Sequence, residues 1–159
     1  ASTNGFQNYA DLFKSGYSAV KSVFPDAKVI VHMGSIDVAQ WNLDGLKNNG
    51  ATWDVIGMSL YPTASNWSSL NDQCMTNMSD MLARFGSEIM ICEVGMSWDQ
   101  PAACNAFIAD IISKNKSLPN NKGIGVLYWE PQAYNNWKGY TLGAFDNSGK
   151  PTAALNAFN

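Results

Sequence analysis

The stretch Ile89-Met-Ile-Cys-Glu93-Val-Gly-Met-Ser-Trp98 ends an apolar run on a carboxylate and follows it with an aromatic ring. An apolar run of this kind indicates a buried parallel strand, and functional side chains of α/β proteins gather at the carboxyl ends of such strands. Glu93 is one of only three glutamates in 159 residues. From this stretch alone, two interpretations of Glu93 stay open: a catalytic carboxylate, or a structural one that bonds a neighbouring loop.

On both sides of this strand, apolar runs of strand length alternate with segments of helical periodicity. The predicted strands cover residues 28–33, 54–61, 89–93 and 123–130. The predicted helices cover residues 9–24, residues 37–49, a segment from Ser68 or Ser69 to Phe85, a segment that begins at Asp99 and Pro101, and residues 151–158. Asp37 is the predicted cap of the second of these helices. Strands separated by single helices describe βαβ units in a parallel sheet, so we expect residues 1–159 to form one α/β domain.

Two architectures fit four such units, a doubly wound sheet and one half of a (β/α)8 barrel. Polar and aromatic residues gather at the carboxyl ends of the strands, although each has a structural interpretation if taken singly: His32, Ser59 with Tyr61, Glu93 with Trp98, and Trp129 with Glu130. The strand ends of a barrel converge on one mouth, where these residues would line a single cleft. No glycine-rich phosphate loop follows any strand, which argues against a nucleotide site in a doubly wound sheet. We therefore predict a half-barrel of four strands.

The composition argues against two classes of partner. A formal net charge of −3, with 10 basic and 13 acidic residues and no basic cluster, disfavours nucleic acid. No apolar stretch approaches the roughly 18–20 residues that cross a bilayer, so we expect no membrane partner. Six Trp and six Tyr beside few charges suit a surface that stacks on and hydrogen-bonds neutral polyhydroxy ligands.

Metal-binding patterns are missing from the sequence. A single histidine cannot build a zinc site, there is no HExxH motif, and Cys74, Cys92 and Cys104 lack metal-type spacing. All three cysteines fall in apolar periodic segments, so we expect buried free thiols rather than a single disulfide. The sequence therefore predicts no metal ion.

Three segments, taken in order, resemble those of one enzyme family. They are Val55-Ile-Gly-Met-Ser-Leu-Tyr61-Pro62, Met90-Ile-Cys-Glu93-Val-Gly95 and Gly125-Val-Leu-Tyr-Trp129-Glu130-Pro131. Their order is similar to that of glycoside hydrolase family 53, the endo-β-1,4-galactanases, and residues 142–155 resemble the end of the family's catalytic domain. The resemblance covers essentially the whole chain but only the second half of that domain, from helix 4 to helix 8. It implies the C-terminal half of a (β/α)8 TIM-type barrel that hydrolyses plant cell-wall polysaccharide.

The resemblance also implies roles for matching residues. Glu93, at the end of the family's seventh strand, would be the nucleophile that attacks the anomeric carbon, and Tyr61 would hydrogen-bond and orient it. Contacts with an oligo- or polysaccharide substrate are expected from one histidine and four tryptophans: His32, Trp129, Trp67, Trp98 and Trp137. Trp137 belongs to a long segment, residues 131–150, which we expect to shape the substrate site.

A retaining glycosidase needs two carboxyl groups about 5–5.5 Å apart. The family's acid/base glutamate follows an Asn at the end of the fourth strand, and no residue of this sequence matches that position. Both outer strands would also expose unpaired backbone groups. We therefore expect a partner that completes the barrel, either a second copy in a two-fold homodimer or a complementary N-terminal half. In the homodimer, Glu130 of the second chain would approach the vacant position opposite Glu93.

Two other functional interpretations remain open: a half-barrel without turnover that at most binds oligosaccharide, and a hydrolase of β-1,4-glucan. The hydrolytic chemistry requires no cofactor. Some bacterial relatives hold calcium in a long loop after the seventh strand, but too few residues separate Glu93 from Asp99 to form that loop here. A polysaccharide substrate implies an extracellular or periplasmic location.

Overall fold

A computed structural model describes residues 5–37 and 39–159. Its helices are α1 (Gln7–Val23), α2 (Ala39–Asn48), α3 (Trp67–Phe85) and α4 (Pro101–Lys116), and its strands are β1 (Ile30–Met33), β2 (Val55–Leu60), β3 (Glu88–Val94) and β4 (Gly123–Tyr128). Short 3₁₀ helices follow at Pro119–Asn121, Trp137–Gly139 and Ala153–Phe158. Each strand is preceded by a helix, so the predicted alternation of helix and strand is confirmed.

The four strands form one parallel sheet in the order β1-β2-β3-β4. Strands that follow each other in sequence lie side by side, as in one segment of a barrel and unlike the reversed order of a doubly wound sheet. One face of the sheet carries the hydrophobic core, in which strand residues such as Met58, Ile91 and Val94 pack with helix residues such as Leu43 and Phe107. The predicted half-barrel is therefore confirmed.

The opposite face of the sheet, called here the inner face, is more open than the apolar runs of the sequence indicate. Only β2 is buried along its whole length, whereas β1 alternates between exposed and buried residues. The side chains of Ile30, Ile124 and Leu127 are 37–53% exposed. The expectation of strands buried on both faces is therefore wrong for β1 and β4, because nothing in the described chain covers the inner face beside them.

The structure differs from the prediction at the first residue of α3 and at the cap of α4. Helix α3 begins at Trp67, one residue before Ser68. Helix α4 begins at Pro101 as predicted, but Asp99 does not cap it: Gln100 holds the cap position without a side-chain hydrogen bond. The Asp99 carboxylate instead accepts a hydrogen bond of 2.7 Å from the Ser97 hydroxyl, which stabilises the turn before the helix.

The start of α2 and the last helix differ in how far the structure describes them. The residue before α2 is Val38, which lies outside the described residues, so the capping role of Asp37 stays a prediction. The Asp37 carboxylate accepts a hydrogen bond of 2.9 Å from Gln73 on α3. The last helix is a 3₁₀ helix, and the Thr152 hydroxyl caps it by accepting from the Ala154 N–H at 3.3 Å.

The three cysteines are free thiols, as the sequence predicts. Cys74 and Cys104 are buried, and Cys92 is half-buried. Burial raises the pKa of the Cys74 thiol to about 12, so this thiol stays neutral and contributes to the core as an apolar side chain. Among the described residues, no helix is both long and apolar enough to span a membrane.

A buried amide joins the end of α4 to two strands. The Asn115 Nδ2 donates to the Ile89 carbonyl at 3.2 Å, and its Oδ1 accepts from the Gly125 N–H at 3.0 Å. Asn115→Ala leaves both backbone groups without these partners, so we expect the free energy of unfolding to fall by about 3 kcal/mol. Urea unfolding measures the change. Asn105→Ala, on the same helix, removes only an exposed bond to the Ala153 carbonyl and should cost about 0.5 kcal/mol; equal losses would contradict the prediction.

Candidate active site

A β-bulge in β3 aims Glu93 at the inner face. Met58 of β2 pairs with Ile91, but the next residue, Ser59, pairs with Glu93, so Cys92 is an extra residue. Strict alternation would place Glu93 on the same face as the fully buried Ile91, beneath the helices. The extra residue reverses the phase of the strand, which turns Glu93 towards the inner face. The following Val94 then takes the buried face and is fully enclosed in the core.

Three strands place side chains around the Glu93 carboxylate. Its Oε2 accepts hydrogen bonds from the Tyr61 hydroxyl at 2.8 Å and from the Ser59 hydroxyl at 3.1 Å. The His32 Nε2 lies 2.8 Å from the Ser59 oxygen. Because Ser59 has one proton and donates it to Glu93, His32 must donate to Ser59 through an Nε2–H. The structure thus brings together three predicted site residues, His32, Tyr61 and Glu93.

The hydroxyl donors fix one oxygen of the carboxylate and leave the other available. In the described part of the chain, both hydrogen bonds to Glu93 go to Oε2, so Oε1 is the oxygen that can approach a substrate. Burial, and then the hydrogen bond to Glu93, raise the pKa of Tyr61 above its usual value. Tyr61 is therefore a neutral donor at any physiological pH, and its hydroxyl holds the Glu93 Oε2 in place.

Trp129 stands beside this cluster. Strand β4 ends at Tyr128, two residues before the predicted end, because Glu130 adopts a left-handed backbone with φ of 48°. The Trp129 N–H donates to the Val94 carbonyl at 3.0 Å, which places the residue next to Glu93 along the sheet edge. Its side chain is 47% exposed, so the ring presents a large free surface.

The segment after β4 encloses a cavity of about 450 Å³, lined by Glu130, Gln132, Ala133, Tyr134, Asn135 and Trp137. Glu130, Asn135, Asn136 and Lys138 all have left-handed backbone angles, although none is a glycine. Such strained residues cluster at ligand sites. The structure thus places two predicted site residues, Glu130 and Trp137, in this cavity, whereas Glu93 receives its hydrogen bonds from Ser59 and Tyr61.

The two remaining predicted aromatic platforms are Trp98 and Trp67. Trp98 is half-buried, and its N–H donates to the Thr141 carbonyl at 3.1 Å. Trp67 is the first residue of α3 and packs against the hydrophobic core, which is a structural role. Contact of either ring with a substrate stays a prediction.

The sequence assigns no individual role to two polar residues of the site. Ser59 is expected only as one of the strand-end residues that line the cleft, although it lies two positions before Tyr61 and therefore on the same face of β2. Tyr140 falls within the long segment of residues 131–150, and its hydroxyl donates to the Trp129 carbonyl at 3.2 Å. The period of a strand could have indicated Ser59, but no local pattern indicates the contact of Tyr140. Within residues 5–37 and 39–159, no three His, Cys, Asp or Glu side chains are grouped so that they could hold a metal ion.

Two comparisons relate the chain to galactanases. An arabinogalactan endo-β-1,4-galactanase from Humicola insolens is 26% identical over 188 aligned residues, which cover 99% of this chain and 55% of that protein. The chain spans about half the length of the curated relatives it matches. A solved structure described as one of two fungal β-1,4-galactanases superimposes with a TM-score of 0.80 at 21% identity, covering 99% of this chain and 56% of that one.

The same half-length match recurs in a second solved structure, and a family model matches almost the whole chain. The catalytic domain of Ignisphaera aggregans GH53 superimposes with a TM-score of 0.79 at 22% identity, covering all of this chain and 53% of that one. The model of Glycosyl hydrolase family 53 matches residues 1–158. Since that match takes in all four strands and every residue of the Glu93 cluster, the chain belongs to glycosyl hydrolase family 53.

Proposed function

We propose that this chain is the nucleophile-bearing half of a retaining glycoside hydrolase that cleaves β-1,4-galactan. The observation that supports the proposal is the Glu93 carboxylate, turned to the open face of the sheet and held through one oxygen by Tyr61 and Ser59. A held carboxylate with one free oxygen is what a retaining mechanism needs from its nucleophile. The family to which the chain belongs and its galactanase relative support the substrate class.

In the proposed reaction, the Glu93 Oε1 attacks the anomeric carbon while the bond to the leaving sugar breaks. The leaving oxygen takes a proton from a carboxylic acid about 5–5.5 Å from Glu93, and the resulting carboxylate then activates the water that hydrolyses the glycosyl ester. Tyr61 and Ser59 orient Glu93 before attack, and their hydrogen bonds weaken as its charge moves into the new bond. His32, through Ser59, keeps that hydroxyl pointing at the carboxylate.

The aromatic residues provide the sugar platforms. The Trp129 backbone is hydrogen-bonded to Val94, the residue after Glu93, and we propose that its exposed ring stacks on the sugar that reacts. Trp137 is 49% exposed and lines the cavity after β4, where its ring can stack on a further sugar. Flat rings suit galactose because one face of a pyranose is apolar, and neutral amides such as Asn135 can hydrogen-bond its hydroxyls.

The proposed partner is a second copy that supplies four further strands, and a complementary N-terminal half is the alternative. Among the residues that the structure describes, each outer strand has one edge without a paired strand, and the surfaces beside both edges carry apolar side chains. Leu12 and Val23 on α1, and Phe24 directly after it, are 65–75% exposed. At the β4 edge, apolar side chains line a groove of about 510 Å³: Val126, Leu127, Tyr128, Pro131, Phe145, Leu155 and Phe158. Pairing β4 of one copy with β1 of the other would cover both surfaces and bring Glu130 of the second chain opposite Glu93.

Light scattering distinguishes the two partners. A homodimer gives a particle of twice 17.3 kDa, and Leu127→Lys on the β4 edge should return it to a monomer. Thr76→Lys, on the exposed surface of α3, is the matched control and should leave the dimer intact. A wild-type monomer that becomes active only when an N-terminal half is added would replace the homodimer by the alternative.

The substrate test is release of reducing sugar. We expect the chain, with its partner, to release sugar from β-1,4-galactan and not from cellulose, a β-1,4-glucan. Equal activity on both polysaccharides would favour a glucanase, and activity on neither would favour a half-barrel that only binds sugar. Isothermal titration with galacto-oligosaccharide and cello-oligosaccharide measures that binding directly.

Ser59→Ala should lower kcat/KM for galactan by about 10-fold, because the Glu93 carboxylate loses one of its two hydroxyl donors and His32 loses its acceptor. Steady-state kinetics on galactan measures the change. Ser69→Ala, which removes an exposed hydroxyl on α3, should have no effect. A Ser59 variant as active as the wild type would remove this residue from the site.

An extracellular or periplasmic location is part of the proposal, since polysaccharide does not cross membranes. Fractionation of the producing cells, with an antibody against the chain, tests it. Recovery with the cytoplasmic fraction would contradict the proposed location without changing the chemistry of the site.

A further inference from the structure

Gly95 lies two residues after Glu93, at a point where three segments of the chain meet. A Cβ atom added to it would stand 3.0 Å from Tyr61 Cε1, from the Tyr140 hydroxyl oxygen and from the Leu142 carbonyl oxygen. Gly95 is buried, and its φ lies outside the left-handed region, so the backbone angle does not require glycine here. What the position requires is the absence of a side chain.

Two of these three neighbours are held by hydrogen bonds of their own. The Tyr140 hydroxyl donates its proton to the Trp129 carbonyl at 3.2 Å. The Leu142 carbonyl is part of the backbone, and it accepts a hydrogen bond of 2.9 Å from the Tyr128 hydroxyl. Neither atom can withdraw from Gly95 without straining one of these bonds.

The third neighbour, the Tyr61 ring, is the one that can move. Tyr61 directly follows β2 and is 36% exposed, so its ring has open space on the solvent side. Its Cε1 is bonded to the carbon that carries the hydroxyl, and this hydroxyl donates to Glu93 Oε2 at 2.8 Å. A side chain at residue 95 would therefore push the ring towards solvent and carry the hydroxyl away from the carboxylate.

We infer that Gly95 is a positioning residue for Glu93 that acts through Tyr61, an inference that rests on the proposed role of Glu93 as nucleophile. The bare backbone of Gly95 is the surface against which the Tyr61 ring lies while its hydroxyl holds the carboxylate. Gly95 and Glu93 are separated by one residue of the same chain segment, so this surface and the carboxylate keep a fixed relation to each other. The end of β3 thus places both partners of the hydrogen bond.

The rate of covalent labelling tests the consequence for Glu93. The probe is a dinitrophenyl 2-deoxy-2-fluoro-β-galactobioside, whose leaving group needs little help from a proton donor. Gly95→Ala should lower the first-order labelling rate about 10-fold and leave the inhibitor affinity unchanged, because the carboxylate loses a well-placed hydroxyl donor. In the Tyr61→Phe background, which already lacks that hydroxyl, Gly95→Ala should have no further effect on the rate.

Gly34→Ala is the matched control for this experiment. Gly34 directly follows β1 and lies two residues after His32, just as Gly95 directly follows β3 and lies two residues after Glu93. An added Cβ atom at Gly34 meets no described atom within 4 Å apart from its chain neighbours. The control variant should therefore label at the wild-type rate.

A double-mutant cycle on stability tests the contact without any need for activity. Tyr61→Ala removes the ring and opens space beside residue 95, so Gly95→Ala should shift the urea unfolding midpoint less in that background than in the wild type. Equal shifts in the two backgrounds would overturn the inference. If Gly95→Ala does not fold in the wild type, it should fold in the Tyr61→Ala background. Failure in both would show that the Cβ atom displaces residues 140–142 rather than the ring, which also contradicts the inference.

The outcomes separate the two proposals. If the wild type labels and Gly95→Ala labels equally fast, the role of Gly95 is wrong and the proposed function stands. A loss of rate that persists in the Tyr61→Phe background would mean that Gly95→Ala acts by moving Tyr140 and Leu142, and the inference would again be wrong. If the wild type does not label at Glu93, the proposed function fails, and the stability cycle alone decides whether Gly95 sets the place of the Tyr61 ring.

Discussion

Glu93→Gln should abolish covalent labelling by a dinitrophenyl 2-deoxy-2-fluoro-β-galactobioside and lower turnover of an activated aryl galactoside by about 10⁴-fold or more. The amide keeps the shape of the side chain and an oxygen that Tyr61 can still bond, but it carries no charge and does not attack the anomeric carbon. Mass spectrometry of the intact chain measures the added sugar, and peptide mapping of the wild type should place it on Glu93. An aryl galactoside is chosen because a good leaving group needs little protonation.

Glu88→Gln is the matched control for this experiment. Glu88 is the first residue of the same strand, and its carboxylate forms an ion pair with Lys28 at the opposite end of the sheet. The variant should therefore label at the wild-type rate and lose at most about 1 kcal/mol of stability. Labelling that persists in Glu93→Gln, or a sugar mapped to another residue, would contradict the assignment of the nucleophile.

Gly123→Ala should prevent the chain from folding stably. A Cβ atom at this first residue of β4 would overlap the carbonyl oxygen of Asn115, which belongs to the last turn of α4. Backbone cannot move aside as a flexible side chain can, so β4 and α4 would have to separate. We expect a loss of at least about 3 kcal/mol, measured as the shift of the urea unfolding midpoint, or recovery only as aggregate.

The control for this prediction is the same substitution at Gly16. Gly16 lies inside α1 and has no atom within 4 Å of an added Cβ, so Gly16→Ala should stabilise the chain by about 1 kcal/mol. The two variants differ only in their surroundings, and their unfolding midpoints should move in opposite directions. A Gly123→Ala chain as stable as the wild type would mean that α4 does not pack closely on the start of β4.

The features that the sequence predicts well are those that depend on local pattern. Strands and helices could be located because the apolar runs and the helical periodicity are each sustained over several residues, and the strand-end positions of His32, Tyr61 and Glu93 follow from those bounds. Parallel pairing of neighbouring strands then brings the three side chains together at one edge. The three side chains therefore converge because the neighbouring strands are parallel. The alternation of helices and strands in the sequence already predicts that topology.

The rest depends on contacts between residues that are distant in sequence. Trp67 is an aromatic residue near a strand end, yet it packs on the core. Sequence alone cannot distinguish a ring that stacks on a sugar from a ring that fills the hydrophobic core. The early end of β4 follows from the backbone angle of Glu130, and the place of Tyr140 follows from the hydrogen bond that its hydroxyl donates to the Trp129 carbonyl. Even the direction of Glu93 was uncertain, because strand periodicity alone would have sent it to the buried face with Ile91.

The β-bulge in β3 determines which sequence changes this site can tolerate. The direction of Glu93 depends on the number of residues in β3 rather than on their chemistry. The extra residue Cys92 shifts the alternation of side chains along β3 by one residue and contributes no hydrogen bond to the carboxylate. A Cys92→Ala chain should keep its nucleophile in place, whereas a chain from which residue 92 is deleted would retain every side chain of the site and point its carboxylate into the helix layer. The site is thus tolerant of substitution at this position and intolerant of a change in length.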